Sequence, residues 1–216
     1  MSGSAEMQKL VIASGNTGKL REIRHLLEPL GIEALPQSTL NVDETDEPHY
    51  TFVENALAKA RHASKWSGLP ALADDSGICV NALNCEPGVY SARYAGEPKS
   101  DERNNQKLVE ALRNQSDRKA HYYCIITLVR HADDPQPIIT DGAWHGEIIL
   151  EPRGEGGFGY DPYFFLPDLG KTAAELPMEQ KNRISHRGKA LARLIESLKD
   201  QGRGYFLNGS TDNWKR

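Results

Sequence analysis

Residues 8–31 read QKLVIASGNTGKLREIRHLLEPLG, and this stretch decides the fold class. From Gln8 to Ala13 the chain has the apolar, β-branched character of a buried strand. After the turn, Leu20, Ile23, Leu26, Leu27 and Leu30 recur at helical spacing until Gly31 stops them. The six residues between, Ser14, Gly15, Asn16, Thr17, Gly18 and Lys19, form a short Gly-rich turn. A turn placed between a strand and a helix aims several backbone N–H groups and the positive end of the helix dipole at one point, and Lys19 adds a full charge there. Such a point suits a phosphate. It is not the loop of the common ATPases, which needs four residues between its glycines and a hydroxyl after the Lys. Here only Asn16 and Thr17 separate Gly15 from Gly18, and Leu20 follows Lys19. Taken alone, the stretch also fits a tight turn with a surface Lys.

The rest of the 216-residue chain extends this β-turn-α opening into a globular α/β pattern. Hydrophobic residues make up 38% and charged residues 26%, the balance of an ordinary globular protein that folds around its own core. No stretch approaches the roughly 18-residue apolar run of a membrane helix, and the start lacks a signal-peptide pattern, so a cytoplasmic protein without a membrane partner is expected. The net charge of −4 argues against a protein that coats a nucleic-acid polymer. Three cysteines, Cys79, Cys85 and Cys124, fit neither a zinc knuckle nor a redox pair and are expected reduced and mostly packed. Residues 1–6 resemble a tag or frayed terminus, 7–200 read as a single domain, and 201–216 as a polar tail.

A second helix is signalled by TFVENALAKARHASKW, in which Thr51 and Glu54 make a capping box and Phe52, Ala56, Ala60 and Ala63 give a slim apolar face. PALAD then predicts a short strand that runs into a turn at DDSG, with ICVNAL extended beyond it. A third helix is expected from about Asp101 to Asn114. HYYCIITLVRH and PIITDGAWHGEIIL, split by ADDPQ, predict an antiparallel hairpin. YFFL predicts a strand, and Ser185 caps a last helix carrying Leu191, Leu194, Ile195 and Leu198. The expected architecture is α/β around a mixed sheet flanked by helices.

Three further groups of residues bear on chemistry. DETDE gathers Asp43, Glu44, Asp46 and Glu47, and DDSG places Asp74 and Asp75 directly after an apolar strand. Hard oxygen ligands suit Mg²⁺, which commonly uses one or two carboxylates, several waters and the substrate's own phosphates. A carboxylate beside such an ion also orients and deprotonates water. The plain alternatives are a solvated acidic loop and an Asx turn. In GGFGYDP, glycines flank Phe158, whose ring offers a stacking surface for a base. Lys181, His186 and Arg187 sit before or within the first turn of the last helix, where cations oppose the dipole and call for a compensating ligand. A capped surface helix with incidental basic residues is the bland reading.

In order along the chain, SGNTGKLREI, TFVENALAKARHASK, ALADDSGICV, PGVYSARYAG, GGFGYDPYFF and KTAAEL with SHRGKAL strongly resemble the inosine triphosphate pyrophosphatase family, in particular its bacterial dITP/XTP branch. The resemblance spans about Met7 to Asp200. It implies an elongated fold of two lobes with a central substrate cleft, usually a homodimer, that uses Mg²⁺ to hydrolyse dITP, ITP or XTP to the monophosphate and pyrophosphate. It further implies that Ser14, Gly15, Asn16, Thr17, Gly18 and Lys19 bind the triphosphate, that Asp75 is the water-activating base and a metal ligand, and that Ser76 touches substrate. Phe158, Gly159, Tyr160, Asp161, Lys181, His186 and Arg187 would surround the base. Glu47, with Asp46 as its neighbour, is the expected second metal carboxylate. The alternatives are a nucleotide sensor that does not cleave, a pyrophosphatase for modified pyrimidine or methylated nucleotides, and, least favoured, a kinase.

Overall fold

The computed structural model describes residues 8–200, so the expected tag and the expected polar tail lie outside the described residues. Seven strands form one sheet: β1 (Gln8–Ile12), β2 (Ile32–Pro36), β3 (Ala71–Val80), β4 (Lys119–Val129), β5 (Ile138–Ile148), β6 (Phe164–Leu166) and β7 (Lys171–Thr172). Their spatial order is β2-β1-β3-β4-β5-β6-β7. β1 runs parallel to β2, with Leu10 beside Ala34, and parallel to β3, with Ile12 beside Leu72. β6 is antiparallel to both β5 and β7. The sheet is therefore mixed, as expected. Its predicted hairpin is β4 and β5, where His121 faces His145 and Tyr122 faces Trp144, partners whose numbers run in opposite directions.

Among the described residues, five α-helices accompany the sheet: α1 (Thr17–Leu27), α2 (Phe52–Ser67), α3 (Asp101–Leu112), α4 (Met178–Ile184) and α5 (His186–Asp200). Thr51 caps α2 by accepting from the Glu54 N–H. The return half of the box differs from expectation, because the Thr51 hydroxyl donates to the Glu54 carboxylate at 2.6 Å. Ser185 caps α5 as predicted, its Oγ accepting from Gly188 N at 3.1 Å.

Two expectations are corrected. DDSG is not a turn, since β3 runs unbroken through Asp74, Asp75, Ser76 and Gly77. β3 lies between β1 and β4 in the sheet, and half-buried cations take up the carboxylates, so the polar residues have no need to leave it. Lys181 does not adjoin the last helix but lies in α4, a short helix that Ser185 separates from α5. β2, β7 and α4 were not foreseen. Among the described residues no helix is long and apolar enough to cross a membrane. Cys79 and Cys124 are buried free thiols, and Cys85 is free and exposed.

The chain divides into two compact units. The first takes residues 8–75, 125–140 and 191–200 of the described chain, and the second takes 76–124 and 141–190. In the first unit, Ala60 and Ala63 of α2 pack against Val11, Ala13, Ala71 and Ala73 of the sheet region. The small side chains let the α2 backbone approach closely. In the second unit, Leu108 and Leu112 of α3 join Tyr122, Trp144, Ile148 and Phe164 in a larger, aromatic core. Ala60 is completely buried in its small-residue layer. Ala60→Leu is therefore expected to overpack that layer and lower stability by about 1–3 kcal/mol, read as a lower urea midpoint at unchanged slope.

Candidate active site

In the first unit the site is built on consecutive residues of β3. Adjacent strand residues point to opposite faces of a sheet, and the cation nearest to Asp74 differs from the one nearest to Asp75. Asp74, whose side chain is fully buried, pairs with Lys19 Nζ at 2.9 Å. Asp75 lies 3.8 Å from Lys59 Nζ through Oδ1 and accepts from Asn55 Nδ2 at 3.2 Å through Oδ2. Lys59 also donates to Glu47 Oε1 at 2.5 Å. One ammonium thus ties Glu47, from the acidic loop, to Asp75, from the strand.

Asn55 and Lys59 stand four residues apart on α2, hence on one helix face. Asn55 does two jobs with one amide. It accepts from His49 N at 3.0 Å and donates to His49 O at 3.3 Å, which pins the chain two residues beyond Glu47. Its remaining hydrogen goes to Asp75. Burial pushes the Asp75 carboxyl above its ordinary range, and the nearby Lys59 and Lys19 only partly offset this. Burial pulls Lys59 down, yet the carboxylates of Asp75, Glu47 and Asp74 together outweigh it and hold the ammonium above its usual value.

The Gly-rich turn has its own local logic. Asn16 Oδ1 accepts from Gly18 N at 2.9 Å and Lys19 N at 3.1 Å, so it caps α1. Asn16 N in turn donates to Ser14 Oγ at 3.2 Å. The Glu44 carboxylate lies against Gly15, where an added Cβ would fall 1.7 Å from Glu44 Oε1, so the acidic loop touches the turn. Ser14 and Gly15, with Asp43 and Glu44, line a cavity of about 360 Å³. Asp46 is exposed. A second cavity, of about 440 Å³ around Arg118 and Glu147, includes none of the candidate residues.

In the second unit Asp161 is the hub. Its Oδ2 accepts from Phe158 N at 2.9 Å and from Lys181 Nζ, and its Oδ1 accepts from the Tyr122 hydroxyl at 3.3 Å. The Tyr122 ring stacks on His186 with centroids 4.7 Å apart and planes 9° apart. Lys181 Nζ lies 4.9 Å and Arg187 Cζ 6.0 Å from the Phe158 ring centroid. Arg187 also donates to Ser76 Oγ at 3.2 Å. Lys181, His186 and Arg187 are 8%, 6% and 3% exposed, which excludes the bland reading of incidental surface cations. Tyr160 is spent on packing: it is buried, and its hydroxyl donates to Ser91 O at 2.7 Å.

Close backbone contacts hold this half together. A Cβ at Gly142 would sit 2.1 Å from His186 O, and one at Gly188 would sit 1.8 Å from Asn182 O. These glycines let β5 and α4 press against the first turn of α5. Among the described residues no group of three or more His, Cys, Asp or Glu side chains is gathered as a ready metal cage. Glu47 and Asp75 do meet at a common positive centre, and a pair of carboxylates is the donor set of an ion that keeps several waters.

The sequence profile described as the Ham1 family matches residues 10–197. The chain belongs to the Ham1 family. It is 72% identical over 194 residues, 90% of this chain and 96% of the relative, to a dITP/XTP pyrophosphatase of Nitrosomonas europaea. Identity to a protein of the same name from Ralstonia nicotianae is 62% over 196 residues, covering 89% and 98%. The solved structure of a HAM1 protein from Coxiella burnetii superposes with a TM-score of 0.85 at 50% identity, covering 90% of this chain and all of that one.

Sequence reasoning missed Asn55, Lys59 and Tyr122. The first two stood in view as the polar pair, four apart, that interrupts the alanine face of α2. Tyr122 carried no such signal, being one aromatic in a β-rich run. The buried pair Lys181–Asp161 gives a direct test. Lys181→Met strands a buried carboxylate and is expected to lower stability by about 3 kcal/mol, whereas adding Asp161→Asn restores most of it in urea denaturation.

Proposed function

We propose that this Ham1-family chain hydrolyses the non-canonical purine nucleoside triphosphates dITP, ITP and XTP to the monophosphate and pyrophosphate, which removes them from the nucleotide pool and keeps them out of DNA and RNA. The observation that carries this reading is Asp75, a buried carboxylate with raised proton affinity next to cations and a second carboxylate. Such a group is suited to take a proton from water.

Ser14 to Lys19 bind the triphosphate, with the Lys19 ammonium and the first-turn amides of α1 as donors. Water attacks the α-phosphorus, its proton passes to Asp75, and the bond to the bridging oxygen breaks to release pyrophosphate. Glu47 and Asp75, with Asp46 as neighbour, would hold Mg²⁺, which would offset charge on the phosphoryl oxygens. Lys59 holds these carboxylates in place and reduces their mutual repulsion.

The base falls to Ser76, Phe158, Gly159, Asp161, Lys181, His186 and Arg187, with Tyr160 holding their segment in place through Ser91 O. Inosine and xanthine carry a 6-oxo acceptor where adenine carries an amino donor. Cationic donors suit the former, whereas an amino donor set against them makes no hydrogen bond, the kind of mismatch that gives strong discrimination. The active form is a homodimer in the cytoplasm, with neither a nucleic-acid polymer nor a membrane as partner.

Product analysis on a panel of purine triphosphates, with and without Mg²⁺, tests the reading. Monophosphate and pyrophosphate are expected from dITP, ITP and XTP only with the metal; intact nucleotide would mean a sensor, and a nucleoside diphosphate would mean phosphoryl transfer. Asp75→Asn is expected to lower kcat for dITP by about 10²–10⁴ while the protein stays folded. Near wild-type turnover would remove Asp75 as the base.

A further inference from the structure

The reading of Phe158 as part of a base site leaves open what holds its loop. Residues 157–161 contain two glycines at positive φ, Gly157 at 76° and Gly159 at 63°, and a segment so rich in glycine has many conformations to lose. Asp161 fixes it from within through Phe158 N. A second fixation comes from α3, which no part of the proposed chemistry uses. Asp101 Oδ2 accepts from Gly159 N at 2.7 Å, and Asn105 Nδ2 donates to Gly159 O at 2.9 Å.

Asp101 and Asn105 stand four apart on one face of α3 and therefore grip both peptide groups of a single residue next to Phe158. The grip is specific in its chemistry. Asn105 is only 7% exposed, and its Oδ1 is a buried acceptor that meets no donor among the described residues. A buried amide with one end unpaired is a poor choice for packing alone, since an apolar side chain of similar shape avoids that loss. Among the described residues, the bond to Gly159 is the one contact that needs the amide.

We propose that Asp101 and Asn105 are positioning residues for base recognition: they clamp Gly159 and so hold the Phe158 ring in the attitude that receives the purine. This rests on the assignment of Phe158 to the base site. The clamp acts on binding rather than on the attack of water, so its loss raises KM and leaves kcat nearly unchanged.

The test compares kcat and KM for dITP in wild type, Phe158→Ala, Asn105→Ala, Asp101→Ala and Asp101→Asn, with thermal midpoints measured alongside. Phe158→Ala controls the base assignment itself and is expected to raise KM. Losing one clamp bond is expected to raise KM about fivefold, the effect of one hydrogen bond of ordinary net strength. Asp101→Asn keeps an acceptor oxygen but removes the charge, so it is expected to stay within twofold of wild type. If Asp101 served only the dipole of α3, Asp101→Asn and Asp101→Ala would behave alike and the clamp would be overturned. A raised KM in Phe158→Ala with wild-type kinetics in Asn105→Ala would also overturn the clamp and leave the base site standing. Wild-type KM in Phe158→Ala would instead overturn the base assignment on which the clamp rests. A fall in kcat and thermal midpoint for Asn105→Ala at unchanged KM would show a purely structural residue and count against the proposal.

Discussion

Two ionisable carboxylates occupy adjacent positions in the interior of a central strand, and most of the first unit is organised around keeping them there. Burying an unpaired carboxylate costs several kcal/mol, so each needs a cation of its own. As adjacent strand residues, Asp74 and Asp75 take their nearest cations from different elements. Lys19 comes from the Gly-rich turn that opens α1, and Lys59 comes from the middle of α2. The alanine face of α2 then has a clear purpose: small residues bring the helix near enough to the sheet for Lys59 and Asn55 to reach Asp75.

The second unit solves a similar problem with a different result. Asp161 is neutralised by Lys181 and further bonded by Tyr122 and the Phe158 amide, so its charge fixes a loop. Asp75 keeps its proton affinity raised and remains suited to chemistry, whereas no comparable role falls to Asp161. Two buried carboxylates thus take different parts because their surroundings differ. Tyr122 links the hub to His186 by stacking, which places the first turn of α5 against the same loop.

Much of this was legible in the sequence. The β-turn-α opening, the capping residues Thr51 and Ser185, the α3 helix and the β4–β5 hairpin all rest on local periodicity or on turn chemistry, and the structure contains them. DDSG was misread because Asp, Ser and Gly favour turns in isolation. Only the cations supplied by α1 and α2 make two buried aspartates tolerable in a strand, and that is a tertiary fact. β2 was missed because IEALP is short and ends in Pro, although its alternating burial fits a half-covered strand. The mixed sheet is legible in the alternation of helices and strands with a later hairpin, and the family resemblance in the ordered motifs. The pairing of Lys59 with Glu47 and Asp75 could not, since nothing in the spacing of those residues relates them.

The account stands most directly on the ionisation of Asp75. In metal-free protein, the ¹³C chemical shift of the Asp75 carboxyl can be followed against pH in wild type and in Lys59→Met. Burial raises its midpoint and Lys59 lowers it, so the midpoint is expected above the ordinary aspartate range in wild type and higher still without Lys59. A wild-type midpoint at or below the ordinary range, unmoved by loss of Lys59, would contradict the picture of a buried carboxylate held in tension by its cations.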